Sequence, residues 1–266
     1  MKGLNNIGNS CYMNASLQLL LNIPEFYNLI FNNSDKFNSI NQFISEYFSS
    51  NNSCSPDEIR KLIPMFNNSE QHDSYEFLIH FFDYIDEKLS QNNKLYNIFG
   101  LKTKSSVKCK KIDCLTETNT FENHLFLSLP VSTDLTTSYR LFKKKEMLNG
   151  NNSFFCDKCK IYTVARKQLD TDNWPDNLII TYNRYSNSLN KINNHISNPL
   201  EWRHGYNLVG GIIHSGSLNS GHYYYFGNYK GEWYELNDSS VSKLSKDIVN
   251  KYKNIAYILH YKKISN

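Results

Sequence analysis

Cys11 lies where a turn rich in Asn and Gly, GLNNIGNS, runs into the helix-forming stretch CYMNASLQLLL. A thiol at a helix start faces the positive end of the macrodipole and unpaired backbone N–H groups, which favour thiolate and hence a nucleophile. A small buried residue that happens to begin a helix fits the same position equally well, because free Cys is among the most buried residue types. A base elsewhere in the chain must decide between the two. His222, in NSGHYYYF, is the candidate, and Asn237 follows in WYELNDSSV. The alternation around HYYYFG, the NYKGE turn and the EWYEL run predict two antiparallel strands that bring His222 beside Asn237. A thiol protease needs an imidazole to take the thiol proton and a carboxamide or carboxylate to hold the ring in the right tautomer. All three residue types occur here, in the order Cys, His, Asn.

The other cysteines suggest a second chemistry. Cys109 and Cys114 form one close pair, Cys156 and Cys159 a second with CxxC spacing, and Cys54 is left over in a polar loop. Two pairs on adjacent hairpins supply four thiolates in a tetrahedron, the arrangement of a zinc ribbon, and suit metal better than a disulfide framework. Four thiolates leave no open position for water, so the expected zinc is structural and no catalytic metal is expected. Four unmetallated thiols are the competing reading.

The elements that carry these residues divide along the chain. The 266 residues, 40% of them hydrophobic, can bury one sizeable core, and a monomer is expected. Met13, Leu17, Leu20 and Leu21 give the Cys11 helix an apolar face that Pro24 closes. A helix over 39–48 follows from Ile40, Phe43, Ile44 and Tyr47, and Ser55-Pro56-Asp57-Glu58 predicts a capping box with Pro56 at the first helical position. The strongest helix spans 71–89, with Leu78, Phe81, Phe82, Ile85 and Leu89 buried and Gln71, Asp73 and Glu76 around its first turns. From about residue 100 the pattern turns to short strands, and 178–185, 206–214, 222–236 and 256–261 read as a sheet, with a short helix at 246–251. A nucleophile helix packed on a sheet that carries the base is the two-lobed layout of papain-like folds, with the cleft between the lobes.

Charge and composition narrow the classes further. Net charge is +4, and residues 101–168 hold 13 Lys plus Arg against 6 Asp plus Glu. Without stacking aromatics among Lys143, Lys144 and Lys145, this basic middle is read as a solvated face, and nucleic acid is disfavoured as a partner. No apolar run is long enough to cross a bilayer, and the signature begins at Gly3, so an intracellular, cytoplasmic or nuclear protein without leader, membrane partner or appended module is expected.

With these residues in view, the chain resembles the catalytic domain of the ubiquitin-specific protease family of deubiquitinating enzymes over nearly its whole length. GLNNIGNSCYMNASLQ resembles the family's cysteine box, QHDSYEFL its Gln-Asp-Glu helix, and NSGHYYYF with WYELNDSSV its histidine box. The resemblance implies an α+β papain-like cysteine peptidase fold in one domain: a helical thumb to about residue 98, zinc-ribbon-like fingers over about 99–177 and a β-sheet palm over about 178–266. It implies ubiquitin and ubiquitinated proteins as partners, with Cys11 attacking the carbonyl after ubiquitin's Gly-Gly end, His222 as base then acid, and Asn237 as orienter. Asn6 is expected to stabilise the oxyanion and Asp238 to orient groups around it. Gln71, Asp73, Glu76, Phe77, Gly221 and Tyr223 are expected on the substrate, with Asp73 and Glu76 pairing with arginines of the Leu-Arg-Leu-Arg-Gly-Gly tail. The loop 215–220 resembles the mobile loop bordering this channel, and His214 is expected to pack or hydrogen-bond rather than act as a second base. The competing readings are a catalytically weak ubiquitin-binding module and a zinc-ribbon interaction protein that uses its basic surface.

Overall fold

The computed structural model describes residues 1–90, 93–184, 192, 194–203, 205–217 and 220–264. Six helices come first: α1 (Cys11–Leu21), α2 (Pro24–Phe31), α3 (Asn38–Ser49), α4 (Asp57–Lys61), α5 (Ser74–Lys88) and α6 (Lys94–Phe99). Their aromatic side chains, with Phe66 from a 3-10 turn between α4 and α5, fill one core in which Phe26, Phe66, Phe77, Phe81, Phe82 and Phe99 are buried. Stacking in offset and edge geometry, as between Phe77 and Phe81 at 5.4 Å, adds about 0.5–1.5 kcal/mol per pair beyond area burial.

The periodicity of α5 holds, with Leu78, Phe81, Phe82, Ile85 and Leu89 all buried. The helix starts later than expected, at Ser74, because Asp73 is extended and its side chain accepts from the Tyr75 and Glu76 N–H groups as an N-cap. Two other expectations fail. Pro56 occupies the cap position of α4 rather than its first turn, no side-chain cap bond forms, and Glu58 pairs with Lys61 on the surface instead. α1 is not amphipathic: all eleven of its residues are buried, since helices pack on one side and the palm sheet on the other.

Beyond α6 the chain runs as β1 (Leu101–Cys109), β2 (Glu117–His124), β3 (Leu127–Leu129), α7 (Leu135–Phe142), β4 (Glu146–Leu148), β5 (Phe154–Cys156), β6 (Ile161–Thr163) and β7 (Ala165–Asn173). β2-β1-β7-β4 form an antiparallel sheet, and β5 and β6 pair as a separate hairpin. There follow β8 (Asn177–Tyr182), β9 (Glu201–Trp202), β10 (Tyr206–Gly216), β11 (Gly221–Tyr229), β12 (Glu232–Asn237), β13 (Ser240–Lys243), α8 (Lys246–Ile255) and β14 (Ile258–Lys263). The large sheet has the order β13-β12-β11-β10-β14-β8-β3, with β9 on β10.

This sheet is covered on both faces. Ile179, Ile212, Tyr225 and Ile258 join the helical core, whereas Leu178, Ile180, Ile213, Phe226 and Leu259 join a second core with α7. The two-residue period of a strand makes that partition, and β8, covered on both faces, is buried at all six positions, Asn177 and Thr181 included. Of the expected strand 178–185, Tyr185 lies outside the described residues. α8 extends to Ile255, four residues beyond its expected end. Among the described residues, no helix is long and apolar enough to cross a membrane.

Candidate active site

The turn that delivers Cys11 is made by Gly8 and Asn9, successive residues at φ +93° and +50°. Asn6 closes it, its Oδ1 accepting from the N–H groups of Gly8 (3.1 Å) and Ser10 (3.2 Å). With its carbonyl committed, Asn6 points its Nδ2 at Asp238 Oδ2, 2.9 Å away. Asp238 follows the end of β12 at φ +50°, and its Oδ1 accepts from Asn14 Nδ2 at 2.7 Å. The backbone carbonyl of Asp238 accepts from the Leu4 N–H at 2.8 Å, so the segment before α1 is stitched to the turn after β12.

The hairpin that carries His222 and Asn237 forms as expected. β11 and β12 pair with Tyr225 opposite Leu236, and Lys230 and Gly231 turn between them at φ +52° and +88°. Both values are positive, as a two-residue hairpin turn that follows strand twist requires. His222 Nε2 lies 2.6 Å from Asn237 Oδ1. An amide carbonyl only accepts, so Nε2 is the donor and Nδ1 keeps its lone pair.

Cys11 begins α1 and is 5% exposed, with its sulfur within hydrogen-bonding reach of the backbone of Tyr223, the residue after His222. Burial works against the expectation that the helix start favours thiolate. Burial pushes the Cys11 thiol up, the Asp238 carboxylate pushes it the same way, and hydrogen bonds from the backbone of Tyr223, Tyr12 and Cys11 itself only partly oppose them. A desolvated thiolate costs more here than the dipole returns.

Cys11 opens into a cleft of about 510 Å³ between helices and sheet. Tyr12, Gln71, His72, Asp73 and Glu76 line one wall; His214, Ser220, Gly221, Tyr223 and Tyr257 line the other. Gln71 Oε1 accepts from the Gly221 N–H at 3.1 Å across the cleft mouth. His214 is buried and stacked on Tyr223 at 4.4 Å, the packing role expected of it. It also explains the glycine at 221, where a Cβ would stand 2.1 Å from His214 Nε2. Phe77 is corrected: it is fully buried among Tyr12, Phe66 and Phe81, and so belongs to the core rather than to a substrate surface. In the expected mobile loop, Leu218 and Asn219 lie outside the described residues.

Sequence reasoning missed Asn14, Tyr12, His72 and Tyr257. Asn14 left a signal, since a carboxamide one turn beyond Cys11 in an apolar helix must be buried with a partner. Tyr257 left none, because its hydroxyl reaches Asp73 across 184 residues of chain.

The other four cysteines meet at the tip of the fingers. Cys109 ends β1 and Cys114 precedes β2, while Cys156 ends β5 and Cys159 precedes β6. All four Sγ atoms lie within 4.8 Å of one another, and Cys114 and Cys156 are 3.6 Å apart. Four sulfurs held tetrahedrally at about 2.3 Å from one ion stand about 3.8 Å apart, so the spacing fits a metal. The wider first pair is accommodated by a turn in which Asp113 and Leu115 take φ +68° and +48° and the Cys114 N–H bonds Lys111 O. The cysteines are free thiols, not disulfides.

The chain matches the family model "Ubiquitin carboxyl-terminal hydrolase" over residues 2–261. It is 26% identical to mouse ubiquitin carboxyl-terminal hydrolase 17-like protein D over 97% of its own length and 54% of that protein. It is 28% identical to the probable ubiquitin carboxyl-terminal hydrolase 16 of Schizosaccharomyces pombe, covering 99% of this chain and 67% of that one. It therefore spans about half the length of the mouse relative. The fold is similar to that of the SAGA DUB module Ubp8 bound to monoubiquitin, with TM-score 0.80 at 23% identity over 100% of this chain and 69% of that chain. A second structure, of the yeast SAGA DUB module with an Sgf73 mutant, gives 0.84 at the same identity and coverage. The helical half, the sheet that carries His222 and the fingers that gather four cysteines thus follow a shared plan, and the chain belongs to the ubiquitin carboxyl-terminal hydrolase family.

Proposed function

We propose that this chain is a deubiquitinating thiol peptidase that hydrolyses the isopeptide or peptide bond after the C-terminal Gly-Gly of ubiquitin. The observation that carries the reading is the 2.6 Å bond from His222 Nε2 to Asn237 Oδ1, on a strand whose next residue, Tyr223, lines the cleft with Cys11. Asn237 holds the ring so that Nδ1 is the nitrogen left to take the thiol proton. Because burial pushes the thiol up, His222 removes the proton as Cys11 attacks the glycine carbonyl.

The attack generates an oxyanion at the start of α1, within range of the Cys11 N–H and the second hydrogen of Asn6 Nδ2, whose first is held by Asp238. Imidazolium then protonates the departing lysine amine, leaving an acyl-thioester on Cys11. His222 next activates water, and ubiquitin is released with a free carboxylate. The narrow wall formed by Gly221 and His214 suits a Gly-Gly end that carries no side chains. Zinc on Cys109, Cys114, Cys156 and Cys159 would supply structure at the fingertip and take no part in these steps.

The test is labelling with ubiquitin carrying a C-terminal electrophile. A single covalent adduct is expected on the intact chain and none on Cys11→Ala. An adduct that survives Cys11→Ala sinks the assignment of the nucleophile.

A further inference from the structure

Asn14 stands one turn beyond Cys11 in α1 and is 2% exposed, on a helix whose eleven residues are all buried. A carboxamide in such a place lowers stability unless its polar atoms are bonded. Its Nδ2 faces three acceptors, Asp238 Oδ1 at 2.7 Å, the Asn5 carbonyl at 3.2 Å and the Leu4 carbonyl at 3.4 Å. Its Oδ1 is buried and meets no donor among the described residues. Flipping the amide would set that oxygen against a carboxylate and two carbonyls, so the side chain is oriented by what it donates to. Resting on the deubiquitinase reading, we infer that Asn14 is a positioning residue of the oxyanion site: it holds the Asp238 carboxylate, and through it the Asn6 amide, in the orientation the reaction uses.

The two oxygens of the carboxylate are divided between two amides. Oδ1 goes to Asn14 and Oδ2 to Asn6 Nδ2 at 2.9 Å, so anchoring one oxygen turns the other toward the donor. Among the described residues these two carboxamides are the side-chain partners of Asp238, with no ion pair beside them. The Leu4 and Asn5 carbonyls do not need Asn14 in the same way. Their segment is already fixed by backbone bonds, from the Leu4 N–H to Asp238 O and from the Asn5 N–H to Cys54 O, each 2.8 Å. Asn6 is held as firmly on its other side, where Oδ1 accepts from the Gly8 and Ser10 N–H groups. With both ends of that amide fixed, its second Nδ2 hydrogen is aimed before charge develops on the substrate oxygen, and a donor set in advance needs no reorganisation as the bond forms. Asp238 also directly follows Asn237, so one turn carries both the partner of His222 and the carboxylate. Asn14 ties the helix that bears the nucleophile to that turn.

The experiment measures kcat and KM with ubiquitin carrying a C-terminal fluorogenic amide. Two variants remove the donor by different means. Asn14→Leu keeps the volume, and Asn14→Ser keeps a hydroxyl that can bond back along the helix, as Ser16 Oγ does to the Tyr12 carbonyl at 2.8 Å. Each is expected to lower kcat about 10- to 100-fold, less than the loss of the Asn6 donor itself. KM should stay within about twofold of wild type, because Asn14 does not line the cleft and only a loss made in the transition state is expected. Introduced into Asn6→Ala, either variant should lower kcat by no more than about a further twofold, since the two residues act along one path. An Asn14 loss that multiplies the Asn6→Ala loss in full would show a separate, structural role and overturn the inference. So would a defect confined to KM, an unaltered kcat, or loss of the melting transition in both variants, which would make Asn14 a residue of the fold alone. A wild-type chain that turns over none of the substrate sinks the functional reading itself, and this inference with it.

Discussion

Cys11 stands on a helix whose eleven residues are all buried, whereas the fingertip cysteines stand on hairpins whose neighbouring strand β2 has seven of eight residues exposed. The same side chain is fixed by opposite means in the two places. At the cleft, aromatic packing and a web of Asn and Asp hydrogen bonds place one thiol, and its burial pushes the thiol up. At the tip there is little apolar surface to bury, and Ile112 and Tyr162 stay 85% and 73% exposed. Position there depends on the thiols themselves, and Thr116 holds the Cys114 thiol down at about 6 by donating to it. Thiol chemistry in this molecule is decided by what surrounds the sulfur, a core in one case and other sulfurs in the other.

The comparison breaks most readily at the fingertip. If the four cysteines hold zinc, as proposed, Cys156→Ser is expected to abolish its binding, and with it a contribution that reaches about 10–16 kcal/mol in isolated zinc-finger peptides. Metal analysis should fall from about one zinc per chain to none, and limited proteolysis should open the segment around Cys156 while Cys11 still labels with electrophilic ubiquitin. A metal-free chain with an undisturbed fingertip would refute the contrast. A smaller effect is expected at the cleft. Asn6→Ala should lower kcat about 10²- to 10³-fold with the melting transition retained, the usual cost of one oxyanion donor. A variant with unaltered kcat would remove Asn6 from the chemistry.

The smallest effect concerns charge alone. The rate of Cys11 alkylation by iodoacetamide should climb with pH through an apparent pKa above the ordinary thiol value, because burial disfavours the thiolate. Asp238→Asn should move that profile down, since it removes a negative charge that raises the thiol. A plateau already reached below pH 7 would show a preformed thiolate and reverse the contrast between the two cysteine sites.

Much of this was legible in local pattern. The α5 stripe from Leu78 to Leu89 follows from period 3.6, the β11–β12 hairpin from alternation around NYKGE, and the four-cysteine cluster from paired cysteines. Errors arose where a residue's environment comes from distant chain. Phe77 lies on the same face as Phe81 yet was placed on the substrate, and Pro56 was given a capping box that tertiary packing did not form. The helix start that favours the Cys11 thiolate is a local property, whereas the burial that opposes it is supplied by strands more than 200 residues away.

The sequence by itself determined which residues were available for chemistry: a thiol after a tight turn, a histidine and an asparagine on one hairpin, two cysteine pairs, and the helices and strands that carry them. These rest on spacing and on turn residues, which act within a few positions of the chain. Only the tertiary structure decided that Asp73 accepts from Tyr223 and Tyr257, that Asn14 and Asn6 grip one carboxylate, and that Cys11 is buried with its thiol pushed up. Hydrogen-bond saturation and desolvation are sums over neighbours in space, and the fold alone brings those neighbours together.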